Sequence, residues 1–171
     1  MRTLLVLRHA KSSWDQIDLD DFDRPLAARG QGAAPLMGRY LRKHGLQPDL
    51  VVCSPAARTQ ETWQLVQSEL GADISCKMLR TIYLAAPSQL LAVVRRAPDD
   101  VGTLMVIGHN PGLERLATSL SGSGRDKDLA KLRTKFPTAA LAVITFDAAH
   151  WSQVAAGAGR LEAFVRPKDL G

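Results

Sequence analysis

The chain has 171 residues, of which 46% are hydrophobic, and this predicts one domain, 1–171, with a substantial core. The formal net charge is +5, but the basic residues are scattered and aromatic residues make up only 5%, which excludes the usual nucleic-acid-binding patterns. The first apolar run, residues 4–7, is too short for a signal peptide or a membrane span. Cys53 and Cys76 show no pairing pattern, so we expect a reducing, cytoplasmic location and no membrane partner.

Strand patterns and helix patterns alternate along the chain. Short apolar runs predict strands at 3–7, 49–53, 103–107, 139–146 and 161–166. Helical spacing of apolar residues predicts helices at 33–44, 63–70, 90–96 and 113–120. Residues 121–128 are expected to be a mobile loop before a short helix at 129–133. The alternation predicts an α/β fold, a mostly parallel sheet with helices on both faces and an antiparallel edge strand.

Three of the predicted strands end in polar residues of similar chemistry. The first ends at Arg8-His9, and the next two are followed by Ser54-Pro55 and by Asn110-Pro111. Ser or Asn at the N-cap with proline at the first helical position is a helix-start pattern, so the second and third of these strands should each lead into a helix. The carboxyl edge of a parallel sheet is where ligands bind, and helix N-termini there favour an anion.

The residue types at this edge suit the chemistry of a phosphoryl group. The neutral imidazole of His9 is a possible nucleophile for phosphorus, and the guanidinium of Arg8 matches the oxygens of an anionic group. Taken alone, a histidine after a strand is more often packed or bonded to backbone. Arg58 and His109, which follow the other two strand ends, make a common anion site the better interpretation.

These residues form motifs that resemble those of the histidine phosphatase, or phosphoglycerate mutase-like, superfamily, and most closely its small SixA-type phosphohistidine phosphatases. The motifs are Arg8-His9-Ala10, the stretch Ser54–Thr62 that contains Arg58, and Gly108-His109. The stretch Asp23–Gly30 also resembles the segment that precedes the first helix in the SixA type. The resemblance implies a phosphoglycerate mutase-like fold in which His9 and His109 are catalytic and His9 becomes transiently phosphorylated. It implies that Arg8, Arg58 and His109 bind the phosphate.

The resemblance also carries a departure that bears on the substrate. Larger members of the superfamily supply a glutamate general acid from a lid or from the segment after the third strand, but residues 78–87 here contain no carboxylate. Imidazole and phenols leave without strong proton assistance, whereas a general acid is worth about 10²–10⁴-fold for other groups. A site without an acid therefore favours phosphohistidine, or an activated ester, over sugar phosphates. Glu61 or Asp15 could still take the acid role in the folded chain.

Three functions remain open from the sequence. The leading one is a phosphatase that uses a phosphohistidine intermediate and acts on a phosphorylated protein or a small phosphorylated substrate. The second is a general small-molecule acid phosphatase or a mutase-like phosphoryl transfer enzyme, and the third is an inactive phosphate-binding module. Intact Arg8, His9, Arg58 and His109 argue against the third.

Three further patterns bear on the site. No His, Cys or Asp cluster has zinc spacing, so we expect no metal and no cofactor. Cys53 and Arg58 lack the spacing and the glycine-rich loop of cysteine phosphatases, so Cys53 is expected to be a buried strand residue. Within the basic segment 125–135, Lys131, Arg133 and Lys135 form either a rim that attracts an acidic partner or a solvated face.

Overall fold

The structure is a computed structural model that describes residues 1–171. The strands are β1 (Arg2–Arg8), β2 (Leu50–Cys53), β3 (Cys76–Met78), β4 (Thr103–Gly108), β5 (Ser121–Gly124), β6 (Leu141–Phe146) and β7 (Gly159–Val165). The helices are α1 (Ala28–Lys43), α2 (Ala57–Leu70), α3 (Pro87–Arg95), α4 (Gly112–Leu120) and α5 (Asp126–Thr134). No helix is both long and apolar enough to cross a membrane.

All seven strands form one sheet in the order β3-β2-β4-β1-β6-β7-β5. The pairs β3–β2, β2–β4, β4–β1 and β7–β5 are parallel, while β6 is antiparallel to both of its neighbours. The predicted mostly parallel α/β sheet is therefore confirmed. Its antiparallel strand lies inside the sheet rather than at the edge, because β7 and β5 extend the sheet beyond β6.

Helices cover both faces of the sheet, as predicted. Alternate side chains of β1 point to opposite faces, so Leu5 and Leu7 join one hydrophobic cluster while Leu4 and Val6 join the other. The first cluster includes apolar residues of α1 and α2, and the second includes those of α3, α4 and α5. Cys53 lies within the first cluster and is fully buried, as expected for a strand residue.

Several element boundaries differ from the sequence prediction. Helix α1 begins at Ala28, so Arg29 and Gly30 lie in the helix and not in the segment before it. The first turn of α1 was missed because residues 28–32 contain no large apolar side chain to set a helical period. Gly30 is needed there, since a Cβ would lie 2.2 Å from the carbonyl oxygen of Lys11.

Two strands were missed for the same kind of reason. Residues 121–124 were predicted to be part of a mobile loop, but they form β5 and pair in parallel with β7 at the sheet edge. Their Ser and Gly side chains give no hydrophobic alternation, so only the backbone pairing defines the strand. Strand β3 is three residues long and mostly exposed, which leaves an equally weak pattern.

The predicted helix caps are displaced along the chain. Helix α2 begins at Ala57, and the N-cap is Ala56 in an extended conformation, rather than Ser54. Ser54 Oγ nevertheless accepts a hydrogen bond from the Ala56 backbone N–H at 3.3 Å. Asn110 Oδ1 accepts from the Glu114 N–H at 3.3 Å, while Pro111 takes the N-cap position of α4.

Candidate active site

The register of three adjacent strands places their carboxyl ends side by side. Arg8 of β1 pairs with Gly108 of β4, and Ile107 of β4 pairs with Cys53 of β2. The residues that follow these ends therefore meet at one edge, as the sequence predicted. They line a cleft of about 310 Å³, which we call the phosphate cleft, and its walls include Arg8, His9, Arg58 and His109.

His9 is held in one tautomer beside the cleft. Its side chain is buried, with the residue only 7% exposed, and Nδ1 lies 2.7 Å from the Ala10 carbonyl oxygen. A carbonyl oxygen only accepts, so Nδ1 carries the proton and Nε2 keeps its lone pair. Desolvation by burial, together with the positive charge of Arg58 and Arg8, lowers the pKa of His9 from 6.5 to about 4. The imidazole is therefore neutral at pH 7.

His109 takes the opposite tautomer. Arg58 Nη2 donates to His109 Nδ1 at 3.2 Å, so His109 Nε2 carries the proton and donates to Ser54 Oγ at 2.7 Å. Desolvation by burial and the charge of Arg58 lower the pKa of His109 to about 3. The centroids of the His9 and His109 rings lie 5.4 Å apart. The two imidazoles therefore face the same cleft without a hydrogen bond between them.

Arg58 is fixed by its neighbours. It is the second residue of α2, and it is only 4% exposed. Its Nη1 donates to the Asp21 carbonyl oxygen at 2.7 Å, and its Nη2 lies 2.9 Å from Asp21 Oδ2. The guanidinium is therefore positioned at the helix N-terminus, where a positive partial charge already favours an anion.

Arg8 reaches the cleft with part of its hydrogen-bonding capacity unused. Nη1 donates to the Phe136 carbonyl oxygen at 3.0 Å, while Nε is buried and has no partner. Burial lowers the pKa of Arg8, and nearby Glu114 partly offsets this by raising it. A buried guanidinium N–H without an acceptor is costly, and an anion in the cleft could supply one.

A third arginine lines the cleft that the sequence analysis did not assign to the site. Arg24 is 6% exposed; Nε donates to the Ser13 carbonyl oxygen at 3.0 Å and Nη2 to Ser12 Oγ at 2.5 Å. Its guanidinium carbon lies 3.3 Å from the centroid of the Trp14 ring, a cation–π contact. Arg24 belongs to the stretch Asp23–Gly30 that resembles the SixA type, but the sequence of this stretch does not indicate which way the Arg24 side chain points.

The structure corrects the expectation that the site has no carboxylate. Asp21 lines the phosphate cleft, where it contacts Arg58 and Arg24 and accepts a hydrogen bond from Tyr83 Oη. Desolvation raises its pKa, but the bonds from Tyr83, Arg58 and Arg24 outweigh this and lower the pKa to about 2. Asp21 is therefore ionised at neutral pH and is a poor proton donor. Glu61 and Asp15, the acids named from the sequence, do not line the cleft.

No group of three or more His, Cys, Asp or Glu side chains is close enough together to hold a metal ion. The ionisable groups that line the cleft are three arginines, Lys11, two neutral imidazoles and one paired carboxylate. This composition suits the binding of an anion, and the neutral imidazole of His9 keeps the lone pair that a nucleophile needs.

Comparison with known proteins agrees with this chemistry. Residues 4–79 match the family model of the histidine phosphatase superfamily (branch 1). An uncharacterized protein of Mycobacterium tuberculosis is 37% identical over 164 residues, covering 95% of this chain and all of the relative.

Two solved structures, both candidate phosphohistidine phosphatases SixA, share the fold at 29% identity. The one from Nakamurella multipartitia has a TM-score of 0.81 and covers 97% of this chain and 96% of its own. The one from Agrobacterium tumefaciens has a TM-score of 0.82, with 97% and 98% covered. From its motifs, its cleft and these relatives, the chain belongs to the histidine phosphatase superfamily.

Proposed function

We propose that the protein is a phosphatase in which His9 is the nucleophile and a phosphorylated histidine of a protein is the substrate. One observation carries the proposal. His9 is neutral, its Nδ1 is tied to the Ala10 carbonyl, and its free Nε2 lies in a cleft with Arg8, Arg58 and His109. Membership of the superfamily and the likeness to SixA structures at 29% identity support a phosphatase.

In the first step, the lone pair of His9 Nε2 attacks phosphorus, and the bond from phosphorus to the leaving group breaks. The leaving group takes the electron pair and a proton from solvent. The phosphoryl group is now bonded to Nε2, and the proton on Nδ1 remains bonded to the Ala10 carbonyl oxygen. The guanidinium groups of Arg8, Arg24 and Arg58 stabilise the equatorial oxygens during the transfer.

In the second step, water attacks phosphorus and the bond to His9 Nε2 breaks. The electron pair returns to the imidazole, the proton of the water goes to a phosphate oxygen, and orthophosphate leaves. A bound phosphoryl dianion offsets the burial and the positive charge of Arg58 that lower the pKa of His109 to about 3, so His109 takes up a proton from solvent on Nδ1. Arg58 Nη2 then donates to a phosphoryl oxygen instead of to His109 Nδ1, and His109 donates from Nδ1 to the phosphoryl group.

The nature of the leaving group follows from Asp21. This carboxylate is ionised, with a pKa of about 2, so it cannot supply a proton at neutral pH. Imidazole and phenolate leave without strong proton assistance, whereas alkoxides do not. Phosphohistidine and aryl phosphates are therefore the expected substrates, and alkyl and sugar phosphates are expected to be poor ones.

The same residue supports the second candidate, a general small-molecule phosphatase or mutase-like enzyme. Asp21 is a carboxylate in the cleft, and a substrate that displaced it from Arg58 would raise its pKa and make it a possible acid. That route needs the loss of contacts with Arg58, Arg24 and Tyr83, so it is the less favoured one.

A substrate panel separates the two candidates. Purified protein is assayed with a phosphohistidine peptide, an aryl phosphate and sugar phosphates, with and without a chelator. We expect the first two to be hydrolysed well above the others, no effect of the chelator, and inhibition by vanadate, which mimics pentacoordinate phosphorus. Equal or faster turnover of sugar phosphates would instead favour the general phosphatase.

A further inference from the structure

A second cavity opens beside the phosphate cleft. Its volume is about 530 Å³, and we call it the basic pocket. Six cationic side chains from separate parts of the chain line it: Lys11, Arg29, Lys131, Lys135, Arg166 and Lys168. No Asp or Glu is among its lining residues.

Most of this charge is not neutralised within the protein. Arg166 donates to Asp169, from Nε at 3.1 Å and Nη2 at 2.9 Å, and these bonds lower the pKa of Asp169 to about 2. The remaining five cations make no ion pair. Clustered like charges repel one another, and an incoming anion relieves that repulsion.

The basic pocket adjoins the phosphate cleft. Lys11 and Thr138 line both cavities, and Lys11 lies two residues after His9. Two residues of chain span about 7 Å at most, so an anionic group next to the reacting phosphoryl group can reach Lys11, at the border of the basic pocket. A substrate bound at His9 would therefore place its neighbouring groups at the entrance of the basic pocket.

The phosphate cleft also carries exposed apolar side chains. Trp14 is 68% exposed and Leu84 is 55% exposed, and both line the cleft. A small inorganic polyanion has no apolar surface to match them, whereas a protein surface does. The combination of a basic pocket and apolar side chains at one cleft thus favours a protein as the occupant.

We propose that the basic pocket binds acidic side chains that flank the phosphohistidine of a protein substrate. The proposal rests on the proposed function of the phosphate cleft and names the kind of phosphoprotein that it accepts. Long, exposed lysine side chains adapt to carboxylates without fixed geometry, so they raise the rate of productive encounter more than the rate of the chemical step.

The test compares two charge-matched variants of the full chain. The pocket variant is Lys131→Ala with Lys135→Ala, and the control is Lys127→Ala with Arg133→Ala, whose side chains lie on α5 but do not line the basic pocket. Both remove two positive charges. Each is assayed with a phosphohistidine peptide flanked by Glu, with its Gln counterpart, and with an aryl phosphate.

For the Glu peptide, we expect the pocket variant to lose about tenfold in kcat/KM through KM, since electrostatic steering is worth that much or more. The Gln peptide and the aryl phosphate should be unaffected, and the control variant should behave like the parent protein. Equal losses with both peptides, equal losses in both variants, or no loss at all would overturn the proposal.

Two further arms separate this proposal from others. Tripolyphosphate serves as the small-polyanion probe: if its inhibition weakens in the pocket variant while Glu and Gln peptides are treated alike, the occupant is a small polyanion and the proposal fails. If no phosphohistidine peptide is hydrolysed but the aryl phosphate is, the proposed function fails. The basic pocket is then tested by inhibition of aryl phosphate turnover with an unphosphorylated Glu peptide, which should weaken in the pocket variant alone; no difference would overturn it.

Discussion

The protein has two adjacent cationic cavities that are built differently. In the phosphate cleft, Arg24 and Arg58 are 6% and 4% exposed, and protein acceptors hold their guanidinium groups. In the basic pocket, Lys11, Lys135 and Lys168 are exposed and unpaired. In the proposed function this difference separates two tasks, since fixed donors suit the stabilisation of charge that develops during a reaction and flexible donors suit the attraction of a partner.

The two cavities also differ in the energetic consequences of their charge, which are shifted pKa values in the phosphate cleft and retained hydration and side-chain entropy in the basic pocket. Desolvation of the two imidazoles, together with the positive charge of Arg58 and Arg8, lowers the pKa values of His9 and His109 to about 4 and 3, which keeps the proposed nucleophile neutral. Exposed lysines keep their hydration and side-chain entropy until an anion arrives. We therefore expect substitutions in the phosphate cleft to reduce kcat and substitutions in the basic pocket to raise KM.

The largest expected effect is that of His9→Ala. Removing the nucleophile should lower aryl phosphate turnover by about 10⁴-fold or more. The fold should survive, because His9 follows β1 and is not part of either hydrophobic cluster. Steady-state kinetics and thermal unfolding are measured alongside His44→Ala, an exposed histidine outside the cleft. Substantial activity in His9→Ala would show that His9 is not the nucleophile, and the contrast between a catalytic cleft and a binding pocket would then fail.

Conservative substitution of the fixed arginines should come next. Arg58→Lys and Arg8→Lys keep the charge but lose the planar fork, and charged hydrogen bonds of this kind correspond to about ten- to a hundredfold in turnover. Arg39→Lys is the matched control, because Arg39 is exposed and pairs with Glu69 on the surface. Equal activity in all three variants would show that charge alone, as in the basic pocket, is sufficient.

The sequence predicted the centre of the site better than its surroundings. Arg8, His9, Arg58 and His109 each follow an apolar run, so the strand pattern and the parallel sheet were enough to bring them together. Asp21 could not be selected, because it is one of five aspartates between residues 15 and 23, and a short 3₁₀ helix at Asp21–Asp23 decides which one faces the cleft.

The basic pocket could be predicted only in part from the sequence, because its residues come from separate segments. The segment 125–135 was recognised as basic, but Arg133 does not line the pocket, while Lys11, Arg29 and Lys168 do. These residues lie after β1, on α1, on α5 and after β7, and the fold brings these separate segments together around one cavity. Such a surface depends on tertiary contacts and leaves no local pattern in the sequence.

A titration tests the electrostatics of the phosphate cleft. Burial lowers the folded-state pKa of His9 from 6.5 to about 4, so protonation favours the unfolded chain. This contribution to stability is present above pH 6.5 and is lost as the pH falls towards 4. An NMR titration of the histidine rings should show a midpoint near 4 that is absent in His9→Ala. A midpoint at or above 6.5 would mean that His9 is solvated like an ordinary surface histidine.

The smallest expected effect is that of Asp21→Asn. The variant removes a negative charge that competes with phosphate for Arg58, while the Asp21 carbonyl still holds Nη1. Because the Asp21 side chain is 43% exposed, we expect phosphate to inhibit only about two- to fivefold more tightly. Asp23→Asn, an exposed neighbour outside the cleft, is the control. Weaker inhibition in Asp21→Asn would mean that the carboxylate positions Arg58 instead of competing for it.

Trapping the covalent intermediate tests the central claim most directly. The protein is mixed with a radiolabelled substrate, quenched in base within one turnover, and digested, and the labelled peptide is sequenced by mass spectrometry. We predict a label that is stable in base, labile in acid and located on His9. A label on a serine, on a cysteine or on a histidine other than His9 would contradict the account.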